Sequence, residues 1–291
     1  LIFCCYLMLL SGSKIVTPVL FLIKELYIVL LIEQYWSYIN SSLSPTTAKK
    51  VNGPVTGVAG LGGAIGGTLV GITASQWGAE TMILLAAVSV IPAALLSNFT
   101  YMKLGEPEIP VADPENGSHM GWQKFKENRT LVYLLAVVLM SQLVAAVLDL
   151  KFQGLLSIEF ADAQDKETAF QGWFWGTLNT SVLVLQFIVA PLLLSFVSLR
   201  VIHVLMPLIH ACAIGFALYE PSIFSVGLAF FLFKAFDYSV FRAAKEVLYV
   251  PLGYDERYRA KQVIDVFGYR TGKGGSSVVI VVAIIILLIS L

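Results

Sequence analysis

Phe230–Ser277 reads FFLFKAFDYSVFRAAKEVLYVPLGYDERYRAKQVIDVFGYRTGKGGSS. It opens as a membrane helix would, yet it carries Lys234, Asp237, Arg242, Lys245 and Glu246. It then passes through a charged turn and enters a second apolar run that holds Asp265, Arg270 and Lys273. A charge inside hydrocarbon costs about 2.5–3.5 kcal/mol on insertion scales. A chain that accumulates several must pair them or expose them to a water-filled path, and the default reading of such groups is an ion or substrate pathway.

The surrounding chain supports a membrane setting. Of 291 residues, 57% are hydrophobic and only 13% charged, against about 25% charged in soluble domains. Long apolar runs must satisfy their own backbone groups, so the fold class is all-α integral membrane, with the lipid bilayer as an obligatory partner. The formal net charge is zero, and no nucleic-acid partner is expected. Cys4, Cys5 and Cys212 lie in apolar runs without metal-type spacing, which points to packing. The three His are dispersed and none sits in a zinc motif. No nucleophile–base set, metal set or cofactor site is visible, so an enzyme is not expected. LIFCCYLMLL, before Ser11-Gly12-Ser13, is too short to span and lacks a basic leader. It reads as the end of a helix whose start is missing, so the sequence reads as a fragment.

Apolar runs place one partial segment at 1–11 and eight full ones at 14–39, 52–73, 80–98, 130–150, 168–197, 199–218, 222–250 and 263–291. Pro107, Pro110, Pro114 and Gly117 break any helix in the hydrophilic interval between Asn98 and Arg129. This gives an N-terminal membrane half (1–98), a cytoplasmic linker (99–129) and a C-terminal half (130–291). Lys49 and Lys50, the linker's Lys103, Lys124, Lys126 and Arg129, then Arg200, then Arg257, Arg259 and Lys261 occupy alternate connections, which the positive-inside rule assigns to the cytoplasm. Only 151–167 breaks the alternation, with Lys151 and Lys166 offset by acidic residues.

The chain also matches itself at an offset of 212: AKKVNGPVTGVAGLGG (48–63) lies over AKQVIDVFGYRTGKGG (260–275) with six identities in sixteen. The frame sets Glu25 on Asp237, Glu33 on Lys245 and Gln34 on Glu246. Both copies run helix, cytoplasmic connection, helix. Parallel repeats about an axis along the membrane normal are the pattern of the major facilitator halves. In that frame the segments are helices three (partial) to eleven of twelve.

Lys234, Asp237 and Lys245 are spaced three and eight apart, and on a regular α-helix fall within roughly 80° of one another. With Glu25 and Glu33 as repeat counterparts, they define a substrate or gating site; the competing reading is interfacial snorkelling or structural ion pairing, above all for Lys245 and Glu246. Trp175, Asn179 and Gln186 form another helical stripe, whose amides either line a cavity or bond to a neighbouring helix. Gly53, Gly57, Gly60, Gly63 and Gly67 have the small-xxx-small spacing of close helix packing. GYRTGKGGS (268–276) is not a P-loop, because only three residues separate its first Gly from Gly272-Lys273 and Gly274 follows. Arg270 and Lys273 nevertheless suit phosphate as charges, with cytoplasmic snorkelling as the alternative.

At these residues a resemblance becomes specific. Lys245-Glu246-Val247-Leu248-Tyr249-Val250-Pro251-Leu252 resembles the KExxY(I/V)PL signature of the ATP/ADP translocase family, the nucleotide exchangers of intracellular bacteria and plastids. Lys261, Ile264-Asp265-Val266, Arg270 and Gly272-Lys273-Gly274-Gly275-Ser276 resemble the block that follows it. Glu25-Leu26-Tyr27 and LDLKF (148–152) are weaker echoes. The resemblance implies twelve facilitator-type helices, antiport of ATP against ADP, nucleotide as the partner, no cofactor, and a multi-pass location in a bacterial inner membrane or plastid envelope. It implies Glu25, Lys245 and Lys273 as functional intramembrane charges. Lys24 and Gly274 depart from the family pattern. The alternative is a facilitator-type carrier of another organic anion or metabolite, proton-coupled through Glu25, Glu33 or Asp237.

Overall fold

The computed structural model describes residues 1–12, 15–43, 45–105, 125, 126, 128–249, 263–268, 272, 274, 275 and 278, with the backbone alone at 25, 28, 29, 33, 36, 37, 40, 41, 45, 46, 48–53 and 265–267. Among these residues there is no strand. The helices are α1 (Ile2–Leu10), α2 (Val16–Ser42), α3 (Pro45–Trp77), α4 (Ala79–Leu104), α5 (Arg129–Glu159), α6 (Gln164–Val184), α7 (Ala190–Phe196), α8 (Leu199–Tyr219), α9 (Ile223–Phe236) and α10 (Arg242–Tyr249). Three π turns, Leu185–Val189, Asp237–Phe241 and Val263–Gly268, complete the order. The first continues α6 into α7, and the second continues α9 into α10.

Among the described residues six stretches are long and apolar enough to cross a membrane: Pro54–Trp77, Ala79–Leu104, Arg129–Glu159, Gln164–Phe196, Leu199–Tyr219 and Ile223–Tyr249. The chain is an all-α membrane helix bundle. These spans coincide with six of the eight full segments expected from hydropathy. The segment at 14–39 is helical as α2, while most of 263–291 and the linker 106–124 lie outside the described residues. Bounds differ most at the connection expected at 151–167. There α5 runs to Glu159 and α6 starts at Gln164, so Lys151 is inside a helix and Lys166 is in the first turn of the next. The true connection, Phe160–Ala163, holds no basic residue.

The chain forms two compact units, 1–112 with 162–179, and 113–161 with 180–291. The first packs α1 against α2 and α4, and α3 against α4. Its tightest seam joins α3 to α6. A Cβ placed on Gly67 would lie 2.5 Å from the Gly176 nitrogen, and one on Gly176 would lie 2.7 Å from the Thr68 nitrogen. At Gly71 it would meet Trp173 within 2.9 Å. The seam runs antiparallel, from Gly63 beside Asn179 to Ala74 packed with Ala169 and Met82. The close-packing reading of Gly63 and Gly67 therefore holds, and it explains why 162–179 joins the first unit although it follows the linker. Without a hydrophobic drive between helices in lipid, such backbone proximity supplies the association through dispersion.

The α4 end of this unit is capped from a distance. Gly78 precedes α4 at φ +83 and offers no side-chain cap. The Asp165 Oδ1 carboxylate oxygen accepts the Ala79 N–H at 2.6 Å instead. Removing this charge-assisted cap with Asp165→Ala is expected to cost about 1–2 kcal/mol. The check is thermal unfolding of the purified protein in detergent. Asp165→Ser, too short to reach from α6, should behave like the Ala variant.

In the second unit α5 lies beside α9, and α9 beside α8. Ser222 starts α9 with a reciprocal capping box: its Oγ accepts from Ser225 N–H at 3.2 Å, and Ser225 Oγ accepts from Ser222 N–H at 3.1 Å. Gly227 lets Phe152 of α5 approach, and the rings of Phe152 and Phe230 sit 5.6 Å apart. Near the other end, Tyr249 packs with Leu131, Leu134 and Val138 of α5. The two helices are thus antiparallel along their length. Of the six spans, Ile223–Tyr249 is the most enclosed, with 56% of its most apolar window buried against 6–33% for the rest.

Candidate functional site

Asp237 lies one residue past the midpoint of the 27-residue span Ile223–Tyr249. Some 13 residues on either side make about 20 Å of helix each way, so the carboxylate sits near the middle of a hydrocarbon layer about 30 Å thick. It is 4% exposed, and Lys245 is 3% exposed. The cations that bear on the carboxylate are Lys234, Arg242 and Lys245. Desolvation dominates at a carboxylate buried this deeply, and the nearby cations offset part of its cost.

The π turn at Asp237–Phe241 arranges these groups. One residue more than an α-turn is accommodated there, so everything after it falls back by about 100° in phase. In a regular helix Asp237 and Lys245 would point roughly 80° apart; with the π turn they are about 20° apart. Lys234, the cation that bears most on Asp237, is less enclosed than either. It is half-buried, its ammonium donates to the Tyr238 hydroxyl at 3.3 Å, and it lies over the Phe230 and Tyr238 rings at 5.7 and 5.2 Å. Of the three, Asp237 and Lys245 are buried and Lys234 is half-buried.

A second π turn, Leu185–Val189, packs against the one at Asp237–Phe241. Gln186 lies in the first of these turns and Asp237 in the second. Two polar residues expected on separate stripes are thus carried by neighbouring widened turns, the local geometry that recurs at functional sites because it frees a backbone carbonyl from its α-helical partner. Below them Ala190, Ile202, Met206, Val240 and Ala244 form an apolar cluster. The His210 ring meets Phe233 at 4.9 Å and Phe236 at 6.1 Å, fixing α8 against α9.

Asn179 belongs to the first unit. Its amide donates to the Trp175 carbonyl at 2.8 Å and lies 3.1 Å from the Cβ position of Gly63, so it completes the α3–α6 seam. Glu246 is half-buried on the turn after Arg242. Glu25 and Glu33 lie on α2, where the backbone alone is described; Arg270 and Lys273 lie outside the described residues. Tyr238 and Arg242, which approach one ring-to-guanidinium at 5.8 Å, were not expected at the site. Their four-residue spacing from Lys234 drifts around a regular helix, and only the π turn brings it into line. Among the described residues no group of His, Cys, Asp and Glu could hold a metal ion.

Ionisable groups in the middle of a multi-span apolar bundle are the marks of a membrane carrier. The family model of the TLC ATP/ADP transporter matches residues 135–291, more than half of the chain, and the chain belongs to that family. Its function is of the ATP/ADP transporter type, and it is not an enzyme. No solved structure matches the chain.

Proposed function

We propose that the protein exchanges ATP for ADP across its membrane by alternating access, in a twelve-helix arrangement of the major facilitator type whose two halves are the repeats at 1–98 and 130–291. The observation that carries this reading is a carboxylate buried at mid-span, Asp237, with a buried Lys245 on the same span, in a member of this family. Lys245, with Arg270 and Lys273, binds the phosphate chain. Asp237, with Glu25 and Glu33, holds these cations while the site is empty and releases them to the substrate. Gln186 and Asn179 add uncharged contacts, with Lys234 and Glu246 at the margin. Exchange follows because an unloaded carrier keeps charges uncompensated during reorientation, which the low-dielectric interior penalises.

The test is uptake of labelled ATP by intact bacterial cells expressing the protein, with ADP inside or chased outside. Saturable uptake and efflux accelerated by external ADP are expected. Lys245→Gln and Lys273→Gln should each reduce exchange by about tenfold to a hundredfold, the range for losing a charge-assisted contact of about 1.5–3 kcal/mol. Unchanged uptake and affinity in both variants would remove the site assignment. Uptake driven by a pH gradient without counter-nucleotide would favour a proton-coupled carrier of another anion instead.

A further inference from the structure

The open side of the most enclosed span carries a second constellation. Lys234, Tyr238, Arg242 and Glu246 follow one another at four-residue intervals. On a regular helix that spacing turns by about 40° at each step, so Lys234 and Arg242 would diverge by roughly 80°. The π turn at Asp237–Phe241 takes the drift back and sets them about 20° apart. The Tyr238 ring lies between the two cations: Lys234 Nζ comes from the turn before, 5.2 Å from the ring centroid, and Arg242 Cζ from the turn after, 5.8 Å from it. Lys234 is held further by the Tyr238 hydroxyl at 3.3 Å and the Phe230 ring at 5.7 Å.

Both cations bear on the buried Asp237 carboxylate, and both are also held by aromatic faces, which attract cations without neutralising them. Lys234 and Tyr238 are half-buried and Arg242 is exposed. Inside a membrane span two such charges cannot look into hydrocarbon, so this side faces water or substrate. The guanidinium offers a planar fork and the ammonium a compact point charge, two modes of phosphate recognition that complement each other. Two long side chains already held on one ring lose less freedom when an anion arrives.

We propose that Lys234, Tyr238 and Arg242 form a clamp for a phosphate chain, with Tyr238 as its positioning residue and Arg242 as the group that favours di- and triphosphates over monophosphates. The proposal rests on the nucleotide reading for the identity of the ester and deepens it by adding two residues. Arg242 engages a terminal phosphate and Lys234 an inner one. Tyr238 contributes through its ring, so Tyr238→Phe retains the clamp and Tyr238→Leu dismantles it.

The experiment uses the protein reconstituted in phosphatidylcholine liposomes. Nucleotide exchange and binding of inorganic tripolyphosphate, the latter by tryptophan fluorescence, are measured for the wild type, Tyr238→Phe, Tyr238→Leu, Arg242→Lys and Arg242→Gln. Tyr238→Leu and Arg242→Gln are expected to raise both the tripolyphosphate Kd and the KM for ATP about tenfold or more, at similar maximal exchange, with inhibition by AMP little changed. Tyr238→Phe and Arg242→Lys should recover most of the affinity. If exchange and tripolyphosphate binding are unchanged in Tyr238→Leu and Arg242→Gln, the clamp is wrong while the nucleotide reading stands. A wild type that binds tripolyphosphate through these residues yet exchanges no nucleotide keeps the clamp and removes the nucleotide reading. Failure of the wild type to do either removes both. An effect of the variants that appears only when phosphatidylglycerol is added assigns the stripe to a lipid headgroup and overturns the proposal.

Discussion

Gly172→Leu is expected to prevent the first unit from assembling. A Cβ at Gly172 runs into the backbone of Gly71 and Val70, and that of Gly67 into the backbone of Gly176. Both helices carry glycines four apart, Gly67 and Gly71 on α3 and Gly172 and Gly176 on α6, and the obstructing atoms are mostly main chain, which cannot step aside as a side-chain tip can. Overpacking costs about 1–3 kcal/mol in cores that relax; here relief requires separating the helices and losing the dispersion contacts that hold them in lipid. Folded yield after solubilisation should fall at least about tenfold, read as loss of the monodisperse peak in size-exclusion chromatography. Gly62 and Gly66 supply the internal control, because a Cβ on either meets nothing within 4 Å. Gly62→Ala and Gly66→Ala should be neutral or stabilising by about 0.5–1 kcal/mol through helix propensity alone. A Gly172→Leu protein with wild-type yield and Tm would falsify the α3–α6 crossing.

This seam also shows what a sequence discloses of such a molecule. The glycine spacing through Gly63 and Gly67 is legible because close packing requires small residues at that period. Its partner, Gly172-xxx-Gly176, has the same spacing, but nothing local says which two stripes meet. Spans are legible from hydropathy because the solvent selects them over some twenty residues at once. Their ends are not: hydropathy stops near Leu150, while the helix continues through Lys151 and Gln153 to Glu159 because polar residues end an apolar run without breaking backbone hydrogen bonds. The charged positions Lys234, Asp237 and Lys245 stand out in any apolar run. Their unequal burial does not, because it depends on a π turn. DYSVF and LQFIV carry no composition that distinguishes them from α-helix; packing of the two turns against each other accompanies the wider hydrogen-bond ring. Arg242 stands out as a charge, but its alignment with Lys234 and Tyr238 is illegible for the same reason.

Variants of the buried Asp237 and Lys245 separate a structural role of these charges from a working one. Asp237→Leu removes the carboxylate on which Lys234, Arg242 and Lys245 bear, and Lys245→Met removes one of the three cations from around Asp237. Removing one partner of a buried pair typically costs about 3–5 kcal/mol, so each single variant should lose several degrees of Tm and most of its folded yield. Replacing both groups by apolar side chains of similar volume is often neutral or stabilising. The double variant Asp237→Leu/Lys245→Met is therefore expected to regain most of the wild-type Tm. Exchange should not return with it: about a hundredfold loss or more is expected, since a carrier whose mid-span charge has been replaced by methylenes has nothing to hand over to a phosphate. Stability thus returns in the double variant while transport does not. A double variant that both folds and exchanges nucleotide at the wild-type rate would reduce the pair to scaffolding and move the phosphate site to other cations. A double variant no more stable than either single one would mean that Asp237 and Lys245 are each held by other groups, and that the π turn aligns them without coupling them.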